Sequence, residues 1–459
     1  RVRGTYAIAL MHEDLGNFLI AARRGSPLAL AFGDEEQFLA SDPAAVATWA
    51  DEVLYLNAGD LAWIDGAEFG ISNIDGSEAA DPVVKPLGIS GAEGTRGSFR
   101  HFMEKEIHEQ PETLREAMRG RLAPETATAR LNGLQAQPAE MRAWESLILT
   151  ACGTSFHAAL AGEYIIESLA RMPVECEYAS EFRYRNSPLD PGSVVFALSQ
   201  SGETADTLAA LRESRRRGAP CFGICNNVES SIGRESDGGI DLRAGQEIGV
   251  AATKTFTSQV LVLAMLGLLL GRMRDLSARG GREILAALER LPSLVEKALE
   301  LDSQVARIAK KYAAAQSFLF FGRLANFPVA LEGALKLKEI AYISTGAHPS
   351  AELKHGVIAL INESTPSVFV APRDEMFEKN ISNIEEVKAR KGPVIAVGTE
   401  GDEVLKNLCD DVVLVPDCPT FLAPIVTVVP LQFLAYHIAV ELGCDVDKPR
   451  NLAKSVTVE

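Results

Sequence analysis

Apolar and polar positions follow different patterns in three successive parts of the chain. Residues 1–78 alternate short apolar runs with turns such as HEDLGN and NAGD, which predicts a β-rich unit. Residues 79–142 are charged and helical in pattern, with breaks at Pro111, Pro124 and Pro138, and we interpret them as a helical linker. The remainder alternates short apolar strands with turns and helices. It predicts an α/β class, with parallel sheets flanked by helices.

The α/β pattern occurs twice. The segment SLILTACGTSFHAALAGEYIIESLAR is laid out like SFLFFGRLANFPVALEGALKLKEIAY, and SVVFALSQSGETADTLAALRES is laid out like SVFVAPRDEMFEKNISNIEEVKAR. Both comparisons need nearly the same offset, about 170 residues, which two chance matches would not share. We therefore expect two similar α/β domains, at residues 143–290 and 291–459, after the β-rich unit at 1–78 and the linker at 79–142.

Composition bounds the class of protein and its partners. The 459 residues are too many for one hydrophobic core, which agrees with several domains. The formal net charge is −17, from 45 basic and 62 acidic side chains, and such a surface repels nucleic acid and anionic membranes. We therefore expect neither as a partner, although an anionic small molecule could bind through local donors.

Other features of the sequence indicate a cytoplasmic protein. The longest apolar run, residues 260–270, is shorter than the roughly 20 residues that span a bilayer, so it predicts a buried core helix. No signal peptide is evident, and the 7 cysteines include no C-x-x-C pair. The 7 histidines show no metal-binding spacing. We expect neither a metal ion nor a cofactor.

Hydroxyl and amide side chains follow a buried strand in the first α/β domain. Residues 194–198 predict that strand, a helix is predicted from Ala205, and the turn SQSGET lies between them. Ligands bind beyond the carboxyl ends of parallel strands, where a helix N-terminus offers N–H groups that suit phosphate. Capping needs only one hydroxyl residue, and this turn has three, Ser199, Ser201 and Thr204, together with the amide of Gln200. With CGTS (residues 152–155) at a neighbouring turn, the pattern favours a phosphate site over simple capping.

The corresponding turn of the second domain has the opposite character. It reads APRDEM, and the carboxylates of Asp374 and Glu375 would repel a phosphate. We therefore expect only the first domain to bind one. No Walker A loop and no G-x-G-x-x-G follows any predicted strand, which argues against a nucleotide as the bearer of the phosphate.

The segment EGALKLKE in the second domain places ionisable side chains on one face of a predicted helix. Glu332, Lys336 and Glu339 are spaced i, i+4 and i+7. Such a triplet alone is usually a solvated, salt-bridged stripe, but the flanks FPVAL and IAYIS are apolar and predict a half-buried helix. Buried carboxylates and lysines have shifted pKa values and can serve as acids or bases.

Two further residues are candidates for chemistry. In ELKHG, His355 stands at the start of a predicted apolar strand, VIALI. Histidine can transfer protons near neutral pH, although a lone histidine in this setting is more often structural. In the polar tail DKPRNLAKSVTVE, Lys454 is either a solvated lysine or an amine for Schiff-base chemistry on a carbonyl.

Together these motifs resemble a known family. The segments that carry the resemblance are CGTS, SQSGETADT, EIGVAATKTFTSQ, EGALKLKEIAYI, ELKHG and DKPRNLAKSVTVE. They are similar to the motifs of glucosamine-6-phosphate synthases, the glutamine–fructose-6-phosphate aminotransferases (isomerizing). The resemblance extends over residues 1–459, and the two α/β domains correspond to two sugar-isomerase (SIS) domains. It implies that fructose 6-phosphate is converted to glucosamine 6-phosphate, with glutamine as the nitrogen donor in the full-length family member.

The resemblance also implies roles for particular residues. The sugar phosphate would be held by Ser199, Gln200, Ser201 and Thr204, with Thr154 and Ser155 lining the site. Lys454 would form a Schiff base with the open-chain ketose, and Glu339 would transfer a proton between C1 and C2. His355 would open the sugar ring from the neighbouring subunit of a homodimer with shared sites. Glu332 and Lys336 would support the acid–base steps.

The sequence departs from the family in two places. The family's amide-cleaving domain is an N-terminal-nucleophile fold that uses a mature N-terminal cysteine, whereas this chain begins at Arg1 and its first cysteine is Cys152. Residues 1–78 resemble only the closing part of that domain, so we expect this chain to use ammonia rather than to hydrolyse glutamine. The second departure is Ala252, in GVAATKTF, where relatives often have a serine.

Two other functions stay open on the sequence. A non-catalytic SIS-type module that binds a sugar phosphate would need the SQSGET turn but not Glu339, His355 and Lys454 together. Regulators of this kind usually carry a basic DNA-binding helix pair, which this sequence does not suggest. A plain sugar-phosphate isomerase would need Glu339 and His355, and Lys454 would matter less.

Overall fold

The computed structural model describes residues 2, 6–34, 36–41, 43–77, 82–87 and 95–457. The first part is a β-rich unit with the strands β1 (Tyr6–Met11), β2 (Phe18–Arg24), β3 (Ala29–Phe32), β4 (Gln37–Ala40), β5 (Glu52–Tyr55), β6 (Asp60–Asp65), β7 (Glu68–Asn73) and β8 (Lys85–Pro86). They form two antiparallel sheets, with strand orders β1-β2-β6-β7 and β4-β3-β5-β8. Alternate residues of both sheets, among them Ala21, Leu30 and Leu54, form one shared core.

The linker contains short helices and a two-stranded ribbon. Its elements are α1 (Phe102–His108), α2 (Gln110–Met118), β9 (Leu122–Ala123), β10 (Thr128–Ala129) and α3 (Pro138–Ala143). The predicted interruption near Pro111 is confirmed, because α1 ends at His108 and Pro111 lies in the first turn of α2. Proline is tolerated there since the first helical N–H groups have no intrahelical acceptor.

The two α/β domains have the same strand order. The first contains β11 (Ser146–Ala151), α4 (Gly153–Ala170), β12 (Val174–Tyr178), α5 (Ala179–Arg185), β13 (Ser193–Ser199), α6 (Ala205–Arg216), β14 (Cys221–Cys225), α7 (Ser231–Glu235), β15 (Gly239–Asp241), α8 (Lys254–Arg272) and α9 (Ala278–Leu299). The second contains α10 (Asp302–Tyr312), β16 (Ser317–Gly322), α11 (Asn326–Ala341), β17 (Ser344–Pro349), β18 (Ser367–Val370), α12 (Phe377–Lys388), β19 (Val394–Thr399), α13 (Glu403–Leu408), β20 (Asp411–Val415) and α14 (Ala423–Glu441). The sheet orders are β12-β11-β13-β14-β15 and β17-β16-β18-β19-β20, and all pairs are parallel. The predicted duplication and α/β class are confirmed.

Each domain uses a glycine to pack the helix after its first strand against its long apolar helix. A Cβ on Gly162 of α4 would lie 2.4 Å from Cδ1 of Leu263 in α8, and one on Gly333 of α11 would lie 2.7 Å from Cδ1 of Leu431 in α14. Such distances are too short for carbon atoms, so only glycine allows these helices to pack this closely. α4 and α11 also contact each other, so these two helices pack across the domain boundary.

The long apolar helix of each domain, α8 or α14, is buried in the hydrophobic core. Two helical segments, Lys254–Arg272 and Thr420–Glu441, are long and apolar enough to cross a membrane. In their most apolar stretches, however, 100% and 89% of the residues are buried inside the protein. The prediction of a core helix at residues 260–270 is therefore confirmed. An all-round apolar helix is expected where a helix is enclosed by sheet and helices.

Three sequence expectations differ from the structure. The segment VIALI is not a strand: Val357–Leu360 forms a 3-10 helix, and Val357 and Ile358 pack on the core at one face of the second sheet. Gly356, at φ 135°, turns the chain there, so the apolar run cannot extend β17.

The expected domain limits also differ from the elements. The β-rich unit extends past residue 78, because β8 pairs with β5. The sequence did not predict β8, since a strand of two residues that includes a proline has no alternating pattern. The limit between residues 290 and 291 falls inside α9, a continuous helix that packs on both α2 and α14.

Candidate functional site

The turn between β13 and α6, residues 199–204, lies at the carboxyl edge of the first sheet and is called the hydroxyl turn below. Ser199 Oγ lies 2.9 Å from Thr204 Oγ1 and accepts from the Gly202 N–H at 3.0 Å. Ser201 Oγ accepts from the Glu203 N–H at 3.1 Å. One hydroxyl hydrogen is used between Ser199 and Thr204, so the pair keeps a second hydrogen that can be donated to an anion.

Gly202 is required by the shape of this turn. Its φ is 69°, a left-handed conformation that side chains with a Cβ rarely adopt. A Cβ on Gly202 would lie 1.9 Å from Ser230 Oγ, just before α7. The close approach packs the start of α7 against the hydroxyl turn and fixes the turn's backbone.

The tail, residues 445–457, folds across the hydroxyl turn. Ser455 Oγ lies 3.0 Å from Ser201 Oγ, and the Val456 carbonyl accepts from the Ala205 N–H at the start of α6, at 3.1 Å. Next to them, Lys454 Nζ donates to Glu247 Oε2 at 2.6 Å and to the Gly249 carbonyl at 2.7 Å. The structure thus brings the predicted Schiff-base lysine to the predicted phosphate turn.

Glu247 is held as a charged group at the N-terminus of α8. Its Oε1 accepts from the N–H groups of Thr253 and Thr255, at 2.9 and 3.1 Å, and its Oε2 accepts from the Thr255 hydroxyl at 2.9 Å. Complete burial would raise the pKa of this carboxyl, but the Lys454 ammonium and the backbone donors outweigh it and lower the pKa to about 2. Glu247 is therefore a carboxylate near neutral pH, and it contacts the Lys454 side chain as an ion pair.

Glu332, Lys336 and Glu339, called the α11 triad below, form a second ionic cluster. Lys336 Nζ lies 3.2 Å from Glu332 Oε1 and 2.7 Å from Glu339 Oε2. Thr154, from the first turn of α4, donates to Glu332 Oε1 and accepts from Lys336 Nζ, both at 3.0 Å. The triad of the second domain therefore meets the CGTS turn of the first.

Burial sets the charges of the α11 triad. Glu332 is 0% and Lys336 is 1% exposed, so the alternative of a solvated stripe is wrong. Burial would raise the pKa of Glu332, but the Lys336 ammonium and His157 lower it overall. Burial would lower the pKa of Lys336, but the two glutamates raise it. Lys336 thus stays protonated, and the partly exposed Glu339 carboxylate is the member that a substrate can reach.

Sequence reasoning missed four residues of this region. His157 Nδ1 lies 2.8 Å from Glu332 Oε2, and the Gln259 amide donates to Ser155 Oγ at 2.8 Å. The other two are Glu247 and Ser455, described above. All four lie within or next to motifs that were recognised, but a local pattern gives no sign of which distant residue a polar side chain contacts.

The remaining predicted residues are less closely connected. Gln200 and Ser155 line the same edge, and the Gln200 carbonyl accepts from the Asn226 N–H at 3.2 Å. His355 ends a 3-10 helix after β17 and is exposed, with no hydrogen bond to the α11 triad or the tail within the described residues. Ala252 is half-buried and directly precedes the residue that caps α8.

The second domain's turn, residues 371–376, is closed by its own carboxylate. Asp374 Oδ1 accepts from the Met376 N–H at 2.9 Å, just before α12 begins. An acidic side chain there occupies the position where the first domain presents hydroxyls, and its charge opposes an anion. A cavity of about 410 Å³, lined by residues including Arg121, Asn132 and Arg243, has none of the predicted site residues in its lining.

The comparisons with known proteins agree with this architecture. Residues 140–269 and 311–442 both match the SIS domain, so the chain is a protein with two SIS domains. Glutamine–fructose-6-phosphate aminotransferase (isomerizing) from Chlorobaculum tepidum is 46% identical over 458 residues, which are 100% of this chain and 74% of the relative. The protein of the same name from Bacteroides thetaiotaomicron is also 46% identical, over 100% of this chain and 75% of the relative.

A solved structure supports the same assignment. The C-terminal domain of glucosamine-fructose-6-phosphate aminotransferase from Francisella tularensis superimposes with a TM-score of 0.73 at 38% identity, covering 77% of this chain and 100% of that one. This chain therefore belongs to the family of glutamine–fructose-6-phosphate aminotransferases (isomerizing). The resemblance read from its motifs is confirmed.

Proposed function

We propose that this chain converts fructose 6-phosphate to glucosamine 6-phosphate by ketose–aldose isomerisation with amination. The observation that carries this proposal is the position of the tail, which holds Lys454 beside the hydroxyl turn. An amine that can add to a carbonyl and a set of hydroxyls that can hold a phosphate are thus within one site. A module that only binds sugar phosphates has no use for that amine.

The hydroxyl turn would bind the phosphate. Ser199, Ser201 and Thr204 donate hydroxyl hydrogens, and Gln200 and the residues of the CGTS turn, Thr154 and Ser155, line the remaining wall. The N-terminus of α6 adds a favourable dipole. The net charge of −17 makes this local set of donors necessary, because the surface as a whole does not attract an anion.

Lys454 would then act on the open-chain ketose. Its neutral amine adds to the C2 carbonyl, the C–O bond breaks, and water leaves as the imine forms. Ammonia replaces the lysine nitrogen at C2, and the proton moves from C1 to C2 with Glu339 as the carrier. Over the whole reaction one ammonia enters and one water leaves.

Glu332 and Lys336 would position Glu339 rather than transfer protons themselves. Lys336 is held as an ammonium between two glutamates, and it fixes the Glu339 carboxylate by the 2.7 Å contact. His355, which is exposed on this chain, would open the sugar ring in the site of a second copy. A mixture of Lys454→Ala and His355→Ala chains should then recover activity that neither variant has alone.

The test is amination of fructose 6-phosphate, run in parallel with an ammonium salt and with glutamine. Glucosamine 6-phosphate is measured by mass spectrometry, and borohydride is used to trap a lysine adduct. We expect product with ammonium and an adduct on Lys454 in the wild-type chain. Lys454→Ala should abolish both, whereas Lys448→Ala, at an exposed lysine of the same tail, should change neither.

Each other outcome would point elsewhere. Undiminished amination by Lys454→Ala would remove the Schiff-base role. Glucose 6-phosphate without any amine would indicate a plain isomerase. Binding of fructose 6-phosphate without turnover under either nitrogen source would favour the binding module.

A further inference from the structure

A buried glutamate outside the proposed reaction contacts the segment that holds Lys454. Glu106, on linker helix α1, is 2% exposed. Its Oε1 accepts hydrogen bonds from the backbone N–H groups of Ile248 and Gly249. A carboxylate of the linker therefore fixes the conformation of the loop that precedes α8.

The other oxygen of Glu106 is packed against the same loop. A Cβ on Gly249 would lie 2.8 Å from Glu106 Oε2, so the glycine lets the carboxyl approach closely. Oε2 has no hydrogen-bond partner among the described residues. A buried polar atom left without a partner is uncommon and calls for an explanation.

Glu106 and Lys454 lie on either side of one short segment. The N–H of Gly249 binds Glu106, while the carbonyl of Gly249 binds Lys454 Nζ at 2.7 Å. The carboxylate of Glu247, two residues earlier, supplies the second acceptor of Lys454 at 2.6 Å. A shift of this segment would therefore move both acceptors of the lysine at once.

We propose that Glu106 is a positioning residue for Lys454: it fixes the segment from Glu247 to Gly249, and its charge controls how readily Lys454 releases a proton. This inference rests on the proposed function for the meaning of Lys454, but not for the contacts themselves. Lys454 must lose a proton to solvent before its lone pair can add to a carbonyl. Its side chain is 22% exposed, so solvent can reach it.

The charges around Glu106 agree with this role. Burial and the negative charge of Glu247 raise the pKa of Glu106 to about 7, while Lys454 acts in the opposite direction. The other charged groups nearby are already engaged. Asp447 accepts from the first N–H groups of α1, and Lys254 pairs with Glu109 at 2.8 Å. Glu106 thus changes charge near neutral pH.

The decisive measurement is the reactivity of Lys454 itself, without sugar. Wild-type chain and Glu106→Gln are treated with acetic anhydride at several pH values, and acetylation of Lys454 is followed by mass spectrometry. Glutamine keeps an acceptor oxygen but has no charge. We expect the reactivity profile of Lys454 to move to lower pH by about half a unit, so that acetylation at pH 8 is about threefold faster.

A second variant tests positioning. Glu106→Ala removes the acceptor of both backbone N–H groups, and we expect the fructose 6-phosphate adduct trapped on Lys454 to fall by about tenfold, a loss comparable to that of a charged hydrogen bond. Glu106→Gln should retain trapping and shift the acid limb of kcat/KM for fructose 6-phosphate amination to lower pH. Glu112→Gln, at an exposed glutamate of α2, is the control and should behave like wild type.

The outcomes are separable from those of the proposed function. An unchanged Lys454 profile in Glu106→Gln would overturn the inference, even if amination is observed. Complete loss of trapping in Glu106→Gln at every pH would also overturn it, since Glu106 would then be a direct proton acceptor. A shifted profile in a chain that shows no amination would keep the Glu106 assignment and reject the reaction. If Glu106→Ala does not fold, Glu106→Gln decides.

Discussion

The two SIS domains have the same sheet order but carry different chemistry at matching positions. Counted from the first residues of β11 and β16, Ala161 and Ile165 of α4 correspond to Glu332 and Lys336 of α11, and Ser168 corresponds to Glu339. At the turn after β13 the first domain presents hydroxyls, and at the matching turn after β18 the second domain presents a carboxylate. One domain thus carries the hydroxyl turn and the other the ionisable helix.

The contact between α4 and α11 brings the parts in which the two domains differ close to each other. Thr154 of the first domain bonds to both Glu332 and Lys336 of the second, so the two specialised parts lie against one boundary. The shared architecture positions the helices by close packing at Gly162 and Gly333, which are not among the predicted site residues.

The largest effect is expected from breaking the α11 triad. Glu332→Ala would leave the buried Lys336 ammonium with Glu339 as its remaining ionic partner, and we expect the free energy of unfolding to fall by about 3 kcal/mol. Ala161→Ser, at the matching position of α4, should change it far less. Denaturant unfolding of both variants measures this difference, and similar losses in the two would show that the triad carries no special stability.

The next largest effect is expected at the start of α8, where the ionisable side chains of Glu106, Glu247 and Lys454 lie together. In the second domain, α14 has a neutral bond instead, between Thr427 and Asn326. The pKa of Glu106 is about 7 in the folded chain and near 4.5 when unfolded. The stability that proton binding contributes is thus complete below about pH 4.5 and is lost as the pH rises through 7. Between pH 5 and pH 8 the wild-type free energy of unfolding should fall by about 2 kcal/mol more than that of Glu106→Gln. Parallel falls in both chains would contradict the assignment.

The contrast between the two turns predicts a difference in substrate binding. Ser201→Ala should raise KM for fructose 6-phosphate by about tenfold, since a hydroxyl bond to a phosphate is worth about 1.5 kcal/mol. Glu375→Ala, at the matching and exposed position of the second domain, should leave KM unchanged. Steady-state amination kinetics distinguish the two, and an equal rise in both would remove the special role of the first turn.

The smallest effect concerns a bond that both domains share. Ser155 binds Gln259 of α8, and Asn326 at the matching position of α11 binds Thr427 of α14. Ser155→Ala and Thr427→Val should each lower the free energy of unfolding by about 1 kcal/mol. Only Ser155→Ala should also weaken binding of fructose 6-phosphate, which calorimetry can measure. Weaker binding in both variants would mean that the loss of affinity comes from a general destabilisation of the fold and not from Ser155 itself.

The sequence was sufficient for the fold because each strand and helix follows its own local pattern. The duplication, the interrupted helix at Pro111 and the core helix at residues 260–270 were all predicted. The strand VIALI was not, since a short apolar run packs equally well as a 3-10 helix when a glycine turns the chain. The two-residue strand β8 has no local signal at all.

The site was predictable where several residues share one turn or one helix face. SQSGET and the α11 triad were recognised in this way. Glu106, Glu247 and His157 were missed, because each acts through a partner more than 100 positions away in the sequence. Homodimer formation and a cytoplasmic location stay predictions.

The packing of α4 on α11 has a consequence for how such a chain can arise. If a gene encoded one SIS unit, two identical copies meeting through this helix would form two equivalent sites, and each copy would have to keep both the hydroxyl turn and the ionisable helix. Fusion of duplicated genes removes that obligation. Each half can then lose the part that the other half keeps, and the paralogous halves become complementary within a single polypeptide.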